Sequence, residues 1–347
     1  MIASTQSFEL QRYRQLAWVT IAAVYFLFLV GATVRASGAG MGCPDWPTCF
    51  GRWIPPTSEA QLPANYQEIY AELGYADTRF NAVKTWTEYT NRLVGVSIGF
   101  LIFLTAIYSW FCRSYDPRIF YASLAAFFMV GFQGWLGAKV VGSNLQPGMI
   151  TLHMLMALAI VGTLLFAVAL ARRELVANHS IETIDARFST WLYIVLGLTI
   201  VQIAMGTQVR EMTDFLSKTQ GEELRSSWIE AMPWFFYVHR SFSAVVLFAN
   251  LWLARLLILS LGWKHLLTRL TLAMIGVIAI AVTSGATLGH LGMPALVQPA
   301  HLLAAALLFG LQFLIWMSYR HALTASNSAV GNSPKKAASS AVAQPVV

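Results

Sequence analysis

The chain has 347 residues, 57% of them hydrophobic and only 11% charged, with a formal net charge of +7. Soluble domains carry about 25% charged residues, so this composition excludes an ordinary water-soluble enzyme and points to a membrane. The positive balance does not imply nucleic-acid binding, which needs a clustered basic face that this sequence lacks.

Apolar runs of about 20 residues, long enough to cross a bilayer as helices, occur near 17–36, 89–111, 119–141, 149–171, 188–208, 233–259, 266–288 and 298–318. They predict an all-α integral membrane protein with eight spans, four to each half. A polar stretch over 1–16 precedes the first run, which has no small-residue cleavage site, so neither a signal peptide nor an Arg-rich transit peptide is expected. Short connections carry the basic residues: Arg12 and Arg14, Arg113 and Arg118, Arg172, Arg173 and Arg187, Lys264 and Arg269, then Arg320, Lys335 and Lys336. The excess of Lys and Arg in short cytoplasmic loops puts both termini in the cytoplasm. The long polar connections near 37–84 and 209–232 then face outward, and they hold most of the acids, Asp45, Glu72, Glu211 and Asp214 among them.

The first outer connection contains Cys43-Pro44-Asp45-Trp46-Pro47-Thr48-Cys49. In an oxidising compartment this pair reads as a loop disulfide, with a redox-active pair as the alternative. A zinc site would need further ligands, and that connection has no His. The preceding run Gly38-Ala39-Gly40-Met41-Gly42 has no strand–turn–helix context for a phosphate loop and is expected to turn the chain as it leaves the membrane. Cys112 reads as a buried thiol. The Ala/Ser-rich tail over 321–347 is expected to be a disordered cytoplasmic end.

The most informative pattern is a repeat. Asn91 and His239 are 148 positions apart, as are His153 and His301, and flanking residues keep the register: Tyr89 with Tyr237, Arg92 with Arg240, Gly137 with Gly285, Arg172 with Arg320. The chain therefore reads as duplicated. The expected organisation is a cytoplasmic N-terminus 1–16, an N-terminal four-helix bundle 17–174, a cytoplasmic linker 175–187, a C-terminal bundle 188–320 and the tail.

Polar groups inside spans mark function. His239 and His301 occupy the same shallow depth on two spans of the same direction, where imidazoles reach the two faces of one iron porphyrin. The alternative is interhelical hydrogen bonding without a metal. In the first half His153 remains, but Asn91 replaces the second His and Glu88 stands where Phe236 stands in the twin. An iron held by His153 alone, or by His153 with a weak Asn91 contact, would keep an open position. Glu88 shares a helix face with Asn91 and is a candidate proton acceptor or stabiliser of positive charge, or else simply the ion-pair partner of Arg92. Arg35, Arg92, Arg210 and Arg240, near the outer interface, are candidates for propionate binding or for snorkelling. His290 is expected in the outer connection before the last span. His179, His265 and His321 are expected at the cytoplasmic interface.

Gly31-Ala32-Thr33-Val34-Arg35 through Cys43-Pro44-Asp45-Trp46-Pro47-Thr48-Cys49 closely resembles the signature of the haem A synthases, the CtaA/Cox15 family. So do Glu88-Tyr89-Thr90-Asn91-Arg92, the stretch from Gly134 through His153, and Ser284-Gly285-Ala286 leading to His301. The resemblance implies two similar four-helix bundles. The second would hold haem b between His239 and His301, and the first would receive haem O as substrate, with Glu88 as the family's carboxylate and Cys43 and Cys49 as its outer-loop pair. It departs from the family at Asn91, where Glu-x-x-His-Arg is usual, and in lacking a Cys pair in the later outer connection. The expected activity is an oxidoreductase that converts the C8 methyl of haem O to the formyl of haem A through a hydroxylated intermediate, for cytochrome oxidase assembly. The expected setting is a bacterial cytoplasmic membrane. Expected partners are a haem O synthase (a farnesyltransferase), oxidase assembly factors, an electron donor and membrane lipid, with a homo-oligomer left open. The alternatives are a b-type cytochrome in quinone-linked electron transfer and a haem carrier or assembly factor.

Overall fold

The computed structural model describes residues 2–173 and 187–331. Among them, eight helices are long and apolar enough to cross a membrane: α1 (Ile2–Ala36), α2 (Ala82–Ser109), α3 (Pro117–Gly142), α4 (Pro147–Ala171), α5 (Arg187–Gln220), α6 (Trp234–Leu261), α7 (Leu266–His290) and α8 (Val297–Gly331). No named strand occurs among the described residues, only an isolated bridge between Cys49 and Arg52. The chain is thus an all-α, multi-pass membrane protein.

Local sequence sets several of the helix ends. Asn81 caps α2 by accepting from Lys84 N at 3.0 Å, and Asp116 caps α3 by accepting from Arg118 N at 3.0 Å, with Pro117 at the first helical position. These side chains satisfy amide donors that a helix start leaves orphaned. Pro147 opens α4 in the same position, where its missing N–H costs nothing. Gly262, at φ 70°, ends α6 in a conformation that favours glycine.

Within each half the helices pack in sequence order, and the first closes on the fourth: α1 on α4, α5 on α8. One apolar cluster, including Ile21, Ile102, Leu158 and Leu164, fills the first half. A second, including Leu192, Leu253, Met274 and Ile315, fills the second. The halves meet through α1, α4, α5 and α8. α4 is the most enclosed span, with 61% of its apolar window buried, against 28% for α2, α3, α6 and α7. Those four turn Val96, Phe128 and Phe248, among others, outward, as helices facing lipid do.

Several boundaries differ from the expected ones, and one physical reason covers most of them. Amphipathic ends continue a helix already nucleated at no further nucleation cost. α1 begins at Ile2, so residues 2–16 of the polar stretch are helical. There Tyr13 hydrogen-bonds Ser123 at 2.8 Å and Glu9 accepts from Tyr108 at 2.5 Å. α5 continues to Gln220 rather than ending near 208, with Arg210 and Asp214 paired one turn apart and Leu216 buried near Trp228. α8 runs to Gly331, through residues assigned above to a disordered tail, where Ala322, Ala325 and Ala329 favour helix. His290 is the last residue of α7 and exposed, not part of the following connection. His265 caps α7 by accepting from Leu267 N at 3.2 Å. His179, nearly all of the expected linker 175–187 and the tail from 332 lie outside the described residues.

The connection between α1 and α2 is itself folded. Phe50 sits edge-on to Tyr66, Tyr70, Tyr75 and Phe80 at centroid distances of 5.3–6.3 Å. Asp45 accepts from Phe50 N at 2.6 Å, from Gly51 N at 2.9 Å and from the Thr48 hydroxyl. The connection packs onto α2 so closely that a Cβ on Gly42 would collide with the Lys84 backbone.

Candidate functional site

Near the end of the molecule that carries the long connections, α6 and α8 bring His239 and His301 together, with ring centroids 6.5 Å apart and ring planes at 80°. Each imidazole packs against a glycine of a neighbouring helix. A Cβ on Gly206 would lie 3.2 Å from His239 Cε1, and one on Gly285 would lie 3.1 Å from His301 Cε1. His301 Nδ1 lies 3.0 Å from Ala281 O and 3.0 Å from Ser284 Oγ. A carbonyl only accepts, so Nδ1 carries the proton and Nε2 keeps its lone pair for a ligand. Gln202 Nε2 donates to His239 O at 3.0 Å, while His239 Nδ1 is buried with no partner among the described residues.

This arrangement fits two axial ligands of one iron. Imidazole nitrogens sit about 2 Å from a bound metal, so two rings on opposite faces of a porphyrin iron have centroids about 6 Å apart. The described residues contain no cluster of three or more His, Cys, Asp or Glu placed to hold a bare ion. A porphyrin does not need one, because the macrocycle supplies the equatorial nitrogens.

In the first half, His153 lies against Gly137, where a Cβ would be 3.5 Å from Cε1. Gln133 Nε2 donates to His153 O at 3.1 Å, and His153 Nδ1 is buried without a partner among the described residues. Asn91 stands over Gly31, with Oδ1 3.8 Å from the position of a Cβ there. It lies one turn from Glu88, on the same face of α2. Glu88 is 5% exposed and pairs with Arg92, whose Nε donates to Oε1 at 3.0 Å. Glu88, Asn91 and Arg92 therefore form one group at the position that His239 occupies in the second half. The threonines Thr151 and Thr207 hydrogen-bond at 2.7 Å across α4 and α5, tying the two halves together near the level of His153.

The four arginines part company. Arg92 is engaged chiefly by the connection that follows α1. Besides Glu88, it donates to Asp45 O at 2.7 Å, Thr48 O at 2.9 Å and Cys43 O at 3.2 Å. These bonds occupy four of the five guanidinium donors, because the connection closes over α2. Arg35 and Arg210 share the carboxylate of Asp214, and Arg210 also donates to Arg35 O at 2.7 Å and to Gln298. They line a cavity of about 340 Å³ with Lys84, Lys218 and Arg225, between α1 and α5. Arg240 is exposed, its guanidinium 5.5 Å from the Tyr237 ring centroid. The sulfurs of Cys43 and Cys49 lie at bonding distance, with Cα atoms 4.9 Å apart.

Two features escape a reading at offset 148. Gly31-Ala32-Thr33-Val34-Arg35 recurs as Gly206-Thr207-Gln208-Val209-Arg210, 175 positions on. The first helix of each half thus repeats at a different offset, because the α1–α2 connection is the longer one. The other is the set of glycines against the ligand positions. Gly137 and Gly285 stood in register in the sequence, but only the packing gives them a task.

A helical membrane protein with a paired-imidazole site in one half and a His, Asn and Glu set in the other matches one family over nearly its whole length. Residues 14–313 match the family described as cytochrome oxidase assembly protein, COX15-CtaA, and the chain belongs to it. The chain is similar to proteins named heme A synthase from several bacteria. It is 28% identical over 198 residues to that of Shewanella oneidensis, covering 55% of this chain and 56% of that one. To that of Methylobacterium radiotolerans it is 29% identical over 203 residues, covering 54% and 53%. To that of Shouchella clausii it is 29% identical over 143 residues, covering 40% and 39%. The matched stretches span about half, or less, of the length of these curated relatives.

Proposed function

We propose that this protein is a haem A synthase, which oxidises the C8 methyl of haem O to the formyl of haem A for cytochrome oxidase assembly. The observation that carries the reading is the difference between the halves. One has two facing imidazoles 6.5 Å apart; the other keeps His153 and puts a buried carboxylate beside Asn91 where the second imidazole would stand. The name shared by the relatives supports it.

On this reading the chain forms two pseudo-symmetric four-helix bundles. His239 and His301 hold haem b, which would supply one-electron relay; His153 is the axial ligand of the substrate haem. Glu88 is held in place by Arg92. There it can take the proton released from the methyl, stabilise positive charge developing at that carbon, or orient the water that attacks it. Two successive oxidations give the alcohol and then the hydrate, which loses water to the aldehyde. Electrons leave through the protein to an acceptor. Arg35, Arg210 and Arg240 remain the residues for the propionates. Cys43 and Cys49 form a disulfide in the connection that closes over the site. The protein resides in a bacterial cytoplasmic membrane with both termini in the cytoplasm, receives haem O from a farnesyltransferase and hands haem A to oxidase assembly factors.

The test is direct. Purified protein given haem O and an electron acceptor should yield the hydroxylated intermediate and haem A, and Glu88→Gln should retain haem b while losing the conversion. Full conversion by Glu88→Gln would remove Glu88 from the chemistry. Unchanged haem O beside a well-occupied haem b site would favour a b-type cytochrome or a carrier.

A further inference from the structure

Eleven residues inward from each ligand position, the halves differ in kind. At three turns, this spacing returns to the same helix face about 16 Å deeper. In the second half the residues are Asn250 below His239 and Gln312 below His301, joined by Thr199 of α5. Gln312 Nε2 donates to Thr199 Oγ1 at 2.9 Å and to Asn250 Oδ1 at 2.9 Å, and Asn250 Nδ2 donates to Val246 O at 2.8 Å. All three side chains are 0–2% exposed. Their counterparts in the first half, at the offsets 148 and 175, are Ile102, Leu164 and Val24, which are 1–6% exposed. The first half has a hydroxyl pair across two helices, Thr20 with Thr105 at 2.7 Å. It lies one turn further in, where the second half has Val195 and Leu253.

We infer that these two floors decide which porphyrin each half accepts: Val24, Ile102 and Leu164 receive the farnesyl tail of haem O, and Thr199, Asn250 and Gln312 bar it from the haem b site. The inference rests on the haem A synthase reading. Haem O differs from haem b in carrying a hydroxyethylfarnesyl group in place of a vinyl. With propionates directed to the arginine end, that group runs inward along the helices. An apolar floor can part around a prenyl chain without losing a hydrogen bond and offers it apolar contacts in return. The polar floor cannot yield without leaving buried amides and a hydroxyl unpaired, and unpaired polar groups in an apolar interior are costly. The three-way bond also ties α5, α6 and α8 together at that level.

The test transplants the floors in the full-length protein, expressed with a haem O synthase so that both haems are available. Bound haems are extracted, separated and weighed by mass spectrometry. In Val24→Thr/Ile102→Asn/Leu164→Gln, haem O and its oxidised products taken together should fall at least tenfold, while haem b and its low-spin spectrum persist and report an intact fold. In the converse Thr199→Val/Asn250→Ile/Gln312→Leu, made with His153→Ala so that the first half holds no haem, haem O should enter the His239/His301 site. The haem O to haem b ratio there should rise at least tenfold. The milder Gln312→Leu, in the same background, should raise it in the same direction. Unmoved ratios in these variants, in a wild-type protein that converts haem O to haem A, would overturn the floor assignment alone. Ratios that shift as expected in a protein that never alters haem O would leave the floors standing and remove the synthase reading.

Discussion

Arg92 joins α2 to the outer connection through a single guanidinium, with Glu88 on one side and three carbonyls of the 43–49 turn on the other. Both partners of the ion pair are largely buried, at 10% and 7% side-chain exposure, so removing one leaves the other uncompensated. Arg92→Leu should destabilise the protein by about 3–5 kcal/mol, measured as detergent-phase unfolding. Arg92→Lys should recover only part of that, since an ammonium cannot span the same four acceptors. Glu88→Gln keeps the shape and removes the charge. It should slow haem O oxidation by about a hundredfold or more, with the low-spin haem b spectrum unchanged. The Glu88–Arg92 pair was legible in the sequence from its i, i+4 spacing. The contacts from Arg92 to the connection were not, because backbone carbonyls leave no trace in composition.

The helices position His239 and His301 by close approach to glycine. A side chain at Gly285 would press on His301 from 3.1 Å, so Gly285→Val should displace the imidazole and abolish low-spin haem while helical content stays the same. Circular dichroism and the optical spectrum separate the two effects. At the opposite end, Asp116 caps α3 and pairs with Arg118 at 2.8 Å and Arg173 at 2.7 Å. The Arg118 hydrogen bond holds its carboxyl below the usual carboxylate range. A depressed folded-state pKa contributes stability that is complete above the unfolded value of about 3.9. That stability is lost as the pH falls through the lower folded value. Acid titration of the melting temperature should therefore show a steeper decline below about pH 4 in the native protein than in Asp116→Asn. The apolar runs located all eight spans, since the hydrocarbon core demands their length and composition. They missed the ends, because the extensions of α1, α5 and α8 are held by pairs such as Tyr13–Ser123 and Arg210–Asp214 rather than by apolarity.

For the molecule as a whole, the two halves share one helix packing order and carry different residues at matched positions. The correspondence of these positions was legible because His239 repeats Asn91 and His301 repeats His153 at one offset. The equivalence of α1 and α5 was hidden, since unequal connections move it to another offset. The cavity between the halves was hidden too, because Arg35, Lys84 and Arg225 meet there only in three dimensions. Family membership over residues 14–313 agrees with the resemblance carried by the Gly31–Cys49 signature. What divides a synthase from a two-haem cytochrome is whether a supplied porphyrin leaves the protein changed. The most direct measurement is pigment analysis of membranes from a host that makes no haem A, expressing this chain together with a haem O synthase. The account predicts haem A or its hydroxylated precursor by chromatography and mass, together with haem b. Haem b and unaltered haem O alone, from a well-folded preparation, would contradict it.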